Sequence, residues 1–292
     1  MSEGQNPMNK IRMIANRETN FVFHMLSAAQ CGYDNPYGRK YRKDYPEQLL
    51  NTLKKHEQLI TCSGGNHWGK LYAPLISIPA RGSVRAKEYY QEFLRKINSG
   101  ESAEHCTDHR LFLPAAEIAD TMLRCYDHYI SQIWPNDMVR LETYIAETMP
   151  LFERSELSAR AEDLVGCNLP AEYFLATMVA SIEDGAEAID ISENQDVFGI
   201  ARAPEWAFRF ISHEFIIFLL KRALQGEDAF RRLETWGLTE GLAEYYCKQL
   251  TGYAGFPGVS QYTAFYEEQK KNSSSSAVEL YRKALATFLP RR

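Results

Sequence analysis

The stretch "RFISHEFIIFLLKRAL", Arg209 to Leu224, decides how the chain is built. With the preceding Glu205–Phe208, it carries Trp206, Phe210, Ile211, Phe215, Ile217 and Leu220 among its apolar residues. At about 100° per residue these surround nearly the whole helix axis. A helix apolar on all sides is a buried central helix. Inside it stand His213 and Glu214, with Ser212 beside them. Burying an imidazole or a carboxylate without a partner costs on the order of several kcal/mol. A metal ion, a water-filled cleft or another side chain must therefore satisfy them.

A partner is available downstream. "WGLTEGLAEYYCKQL", Trp236 to Leu250, predicts a second helix starting near Thr239. Glu240 and Glu244 are four residues apart and share a face. Gly241 permits another part of the chain to approach closely.

The pair of segments resembles the gluzincin branch of zinc metallopeptidases: a strand, a helix with "HE", then a helix with W-x-x-x-E-G-x-A. In that family H-E-x-x-H supplies two zinc ligands and a general-base glutamate, and the later E-G-x-A supplies the third ligand. The resemblance places His213 as first ligand, Glu214 as base and Glu240 as third ligand. Ile217 stands where the second histidine belongs. The N-terminal "ETNFVFHMLSAAQCGYDNPYG", followed by "LKKHEQL", is also similar to uncharacterised bacterial gluzincin-like proteins. Together the matches touch about half the chain.

Isoleucine cannot ligate. Catalytic zinc takes three protein ligands and a water, and the two histidines of the motif sit one turn apart to face one ion. Two donors, one neutral and one anionic, hold zinc loosely. The resemblance with this deficit implies a degenerate site without a bound cofactor. His213 and Glu240 then hydrogen-bond to each other, and Glu214 is a vestigial base. The expected role is binding a peptide or protein in the old cleft, or regulating a partner. In the related peptidases substrate pairs with an edge strand, which "DVFGIARA" would provide.

Two rivals stand beside this reading. One is an active zinc-dependent hydrolase with a replacement ligand, in which zinc-bound water attacks and Glu214 is the base. His24, His67, His105 and His109 are the candidates for that ligand. His105 and His109, in "EHCTDH", would share a face if helical. His67 lies in the glycine-rich "GGNHWGK", and His24 sits on an apolar helix face. The other rival is a structural or interaction protein whose motif match is accidental. Tyr245, Tyr246, Tyr262 and Tyr266 follow in sequence but receive no catalytic role.

The remaining composition narrows the classes. A chain of 292 residues that is 45% hydrophobic can bury its own core. The net charge of -5 is scattered, with no basic block, which argues against nucleic acid. No apolar run reaches the roughly 18 residues of a membrane span. The polar start "MSEGQNPMNKIRM" lacks a secretory signal's apolar core. Six cysteines (Cys31, Cys62, Cys106, Cys125, Cys167 and Cys247) form no C-x-x-C pair, so reduced thiols in a cytoplasmic protein are expected. The oligomeric state is open.

The expected fold is α+β: a mostly helical, zincin-like domain with a small sheet packed beside the HE-bearing helix. Residues 1–292 form one domain, with a helical lobe 1–167 and a lobe 168–292 holding sheet and site. Helices are expected at "ETNFVFHMLSAAQ", "EQLLNTLKKHEQL", "SVRAKEYYQEFLRKI" (capped by Ser83), "PAAEIADTMLRCYDHYISQIW" and between Met138 and Leu164. "TCSGGNHWGKLYAPLISIP" reads as a loop and an extended piece. "EYFLATMVASI", "AEAIDI" and "QDVFGIA" read as three strands joined as hairpins or a meander. "NSSSS" reads as a loop.

Overall fold

The computed structural model describes residues 9–32, 34–61, 69–182, 194–200, 202–227, 229, 233–252, 257–271 and 275–289. The fold is α+β, mostly helical, with one small three-stranded parallel sheet.

Strand β1 (Ile11–Ala15) opens the described chain, and α1 (Arg17–Ala28) follows at once. The Asn16 side chain caps α1 by accepting from the Glu18 and Thr19 amides. Next come α2 (Pro36–Tyr41), a 3-10 turn at Arg42–Asp44, α3 (Glu47–Lys55) and α4 (Glu57–Ile60). A π-turn at Ala73–Ser77 runs into α5 (Ile78–Ala80), and α6 (Ala86–Asn98) follows. Helix α7 (Phe112–His128) joins α8 (Trp134–Ser155) through a π-turn at Tyr129–Ile133. After α9 (Leu157–Val165) come β2 (Phe174–Val179) and β3 (Gln195–Gly199). The chain finishes with α10 (Pro204–Ala223), α11 (Leu233–Thr251), α12 (Ser260–Lys271) and α13 (Ala277–Phe288).

Several expectations need correction. The strands pair in the order β1-β2-β3 and run parallel, so no hairpin joins them. Ile11–Ala15 is a strand that sequence reading passed over, and "AEAIDI" lies outside the described residues. Residues 73–80 are helical where an extended piece was expected; Leu75, Ile76 and Ala80 are buried, and packing outweighs their β-branched and proline-rich look. Arg85, not Ser83, is the residue at the N-cap of α6. Helix α11 begins six residues before Thr239. Pro36 stands in the first turn of α2, with Asn35 capping.

The chain forms two compact units. One comprises Met1–Arg12, Thr148–Leu175 and Pro204–Arg292; the other comprises Met13–Glu147 and Ala176–Ala203. The chain passes from one to the other within β1, α8 and β2, so neither unit is a continuous half of the sequence.

In the first unit α11 packs on α9, α10, α12 and α13. Phe174, the first residue of β2, meets Phe215 and Phe218 of α10 with ring centroids 5.7 and 4.9 Å apart. Phe152 meets Phe208 at 4.8 Å. In the second unit α1 packs on α2, α3, α5 and α7. Asn20 fastens α1 to the end of β2, donating to the Met178 carbonyl and accepting from the Ala180 amide. Strand β3 stands at the edge of the pairing order, yet all five of its residues are buried. An incoming peptide strand finds no open edge there.

Gly241 has the close approach its position suggests. A methyl group there would lie 2.4 Å from Cβ of Tyr262 on α12. Gly241→Ala is expected to push α12 away and to lower stability by about 1–3 kcal/mol. Chemical denaturation of the variant checks this; an unchanged midpoint would show that the contact is slack.

Candidate functional site

Helices α10 and α11 pack side by side, and Arg209, His213, Glu240 and Glu244 meet in the seam between them. His213 is buried on α10. Its Nε2 donates to Glu240 Oε2 of α11 at 3.0 Å. Its Nδ1 stands 3.1 Å from Oε2 of Glu244, one turn further along α11. Glu244 is itself fully buried, and its Oε1 accepts from Arg209 Nη2 at 2.5 Å. Arg209 lies one turn before His213 on α10. The side chains thus alternate in sign along the seam: Arg209, Glu244, His213, Glu240.

Helical periodicity produces this register. Arg209 and His213 are separated by four residues, as are Glu240 and Glu244, so each pair shares a stripe. Two such stripes facing each other interdigitate opposite charges. Only Glu240 reaches solvent, with a side chain 22% exposed.

The electrostatics follow from the contacts. Burial alone would drive the His213 proton off, but hydrogen bonding and charge from Glu240, Glu244 and Glu214 win, raising it to about 10. Burial likewise opposes ionisation of Glu244, but His213 and Arg209 outweigh it and hold its carboxyl below the usual range. His213 is therefore an imidazolium at neutral pH, with both ring nitrogens protonated.

The donor set does not fit a catalytic zinc. His213 and Glu240 converge, but they hold each other. Ile217, one turn after His213, is buried and places a hydrocarbon branch where a second nitrogen is required. Glu244 is committed to Arg209 and His213. Among the described residues no three His, Cys, Asp or Glu side chains form a group able to hold a metal. Within the sequence segments of this unit, His213 is the only histidine. Glu214 is half-buried on the same helix.

The other candidates are placed elsewhere. His24 is a core histidine whose two ring nitrogens are hydrogen-bonded to Tyr37 and Tyr45. His105 sits in a left-handed turn within the Ala103–Cys106 bridge, and His109 starts a 3-10 turn, so their spacing gives no shared helix face. His67 lies outside the described residues. Tyr266 is structural: its hydroxyl donates to the Leu238 carbonyl at 3.0 Å. Tyr245 and Tyr246 are buried. The five cysteines described are free thiols.

Arg209 is the member that sequence reading missed. The signal was its spacing: a cation four residues before a buried histidine, opposite two carboxylates also four apart.

Two outcomes are expected. The folded chain keeps the His213 proton where the unfolded chain, at an ordinary value near 6.5, has lost it. The stabilisation is therefore complete below about pH 6.5 and disappears as pH rises towards 10. NMR of the ring should show no titration of His213 between pH 6 and 8, and unfolding free energy should fall across pH 7–10. Glu244→Gln strips the seam of its central anion and leaves Arg209 and His213 facing each other. It should destabilise by about 3–5 kcal/mol in denaturant titration, as expected when one partner of a buried ion pair is removed.

No family model, no curated protein and no solved structure matches this chain.

Proposed function

We propose that the chain is a gluzincin-like, zincin-type protein whose metal site is degenerate, a pseudoenzyme that binds a peptide or protein ligand or regulates a partner. One observation carries this reading. The imidazole that would be the first zinc ligand is held between Glu240 and Glu244, while Ile217 fills the second ligand's position. Isoleucine supplies no donor, so the set that remains is one short of the three protein ligands of a catalytic zinc. Glu214 then has no metal-bound water to activate.

The order of elements also supports the reading. A strand whose first residue packs on the HE-bearing helix, followed by a glutamate helix on its other flank, is what the resemblance implies. The ligand does not add to β3 as a further strand, because that edge is buried. It meets the α10–α11 seam at its one partly exposed member, Glu240.

Metal analysis tests this. Protein purified without chelator or added zinc should carry far less than one zinc per chain and show no peptidase activity. Ile217→His restores a third donor one turn from His213, and should bind zinc near one equivalent when supplied with it. Near-stoichiometric zinc in the natural chain, lost on His213→Ala, would overturn the degenerate reading.

A further inference from the structure

The second unit buries a chain of titratable side chains with no part in the α10–α11 seam. His24, on α1, is completely buried. Its Nδ1 is 2.8 Å from the Tyr37 hydroxyl and its Nε2 is 2.8 Å from the Tyr45 hydroxyl. Tyr37 in turn donates to Asp137 Oδ2 of α8 at 2.6 Å. Tyr37, Tyr45 and Asp137 are buried too.

Hydrogen-bond counting fixes the direction of every bond. Tyr37 has one proton and gives it to Asp137, so its oxygen must accept from His24. Nδ1 therefore carries the ring proton. Nε2 of a neutral ring is then an acceptor, and Tyr45 must donate to it. The chain reads Tyr45 O–H to Nε2, Nδ1–H to Tyr37, and Tyr37 O–H to Asp137.

Tyr45 is the weak end. The 3-10 turn before it, Arg42–Asp44, buries none of its own residues. Segments with few buried contacts are the ones that open locally. Tyr37, by contrast, lies beside Gly38, where an added methyl group would come within 2.3 Å of the Ser27 carbonyl oxygen, so α2 is pressed against α1. We propose that Tyr45 is an acid-released latch: a proton taken up at Nε2 of His24 removes the acceptor of the Tyr45 hydroxyl and frees Arg42–Tyr45 from α1.

The surroundings favour that proton only in the open form. While the latch is closed, burial holds the ring neutral and pushes it down to about 3, with His128 at the end of α7 adding to the effect. His128 also packs edge-on against Tyr45, at 5.2 Å. Tyr41 and Tyr129 face the ring from α2 and the π-turn, and burial raises the Tyr129 phenol well above its usual range. Beyond Tyr37, burial raises the Asp137 carboxyl above its usual range, opposed by the hydrogen bond from Tyr37, Arg140 Nη1 at 3.7 Å, the Tyr129 hydroxyl at 3.5 Å and Lys40. Once Tyr45 leaves, Nε2 meets water while Nδ1–H still donates through Tyr37 towards Asp137. The open form then titrates near the ordinary 6.5, and opening takes up one proton below that pH.

Nitrogen-15 NMR of the His24 ring and pH-dependent hydrogen exchange test this on the full chain. At pH 7 the ring should be neutral, protonated at Nδ1. Between pH 6 and 4 the opening constant of the Arg42–Tyr45 amides, corrected for intrinsic exchange, should rise about tenfold per pH unit. His24→Gln should abolish that slope. Should His24→Gln fail to fold, Tyr45→Phe serves, and should raise opening at pH 7 roughly three- to tenfold by removing one hydrogen bond. A ring protonated at Nε2 or charged at pH 7 would overturn the latch. So would a slope in Arg42–Tyr45 no steeper than in the rest of the unit, or one that survives His24→Gln.

Discussion

The α10–α11 seam is governed by a single requirement: its buried charges must each find an opposite, with Glu240 alone keeping contact with solvent. Arg209, Glu244, His213 and Glu240 meet it by alternating. Taking any one out of sequence would leave a like charge or an orphan beside a buried group. The surrounding helices respect this. Gly241 and Gly237 let α12 come close against α11, while Glu240 and Glu244 meet α10. The apolar residues all round α10 then fill the other directions.

The same amino acid shows how environment decides chemistry. His213 sits among carboxylates and is charged; His24 sits among phenols and is neutral. Both are fully buried, so desolvation opposes charge equally in kind. The difference is what each ring nitrogen faces. Carboxylates only accept, so Nε2 of His213 donates to Glu240, and its Nδ1 lies 3.1 Å from Glu244. Phenols donate or accept, so His24 can keep one lone pair. Neither outcome follows from the residue's own spacing along the sequence.

That limit explains what was legible. Helix α10 could be read because an all-round apolar stretch has few alternatives, and the facing of Glu240 and Glu244 because four residues make one turn. The role of Arg209 was not legible, since it depends on the register between two helices, which no local pattern encodes. Strand β1 was missed because five residues at the end of a polar segment carry little period-two signal. The parallel sheet was missed because acidic turn residues between 183 and 194 suggested hairpins, whereas strand direction is set by where the sheet's other members lie. Residues 73–80 look extended locally and are helical because burial of Leu75 and Ile76 outweighs that preference.

The seam also bears on how a metal would fare there. Zinc and the proton compete for the same Nε2 lone pair. The carboxylates around His213 raise its affinity for that proton, which works against a metal there. The missing nitrogen at Ile217 adds to that deficit, because a two-donor site cannot recover it through a third bond. The two obstacles reinforce each other. On the proposed reading, two donors alone hold an ion only loosely against that proton. With the proton in place, the carboxylates already have their cation, and the attraction that draws a metal into such a seam has been spent on the imidazolium. On the proposed reading, an aliphatic residue at 217 and a charged histidine at 213 are two faces of one arrangement, in which a proton does the neutralising work of a metal ion and offers none of its Lewis acidity.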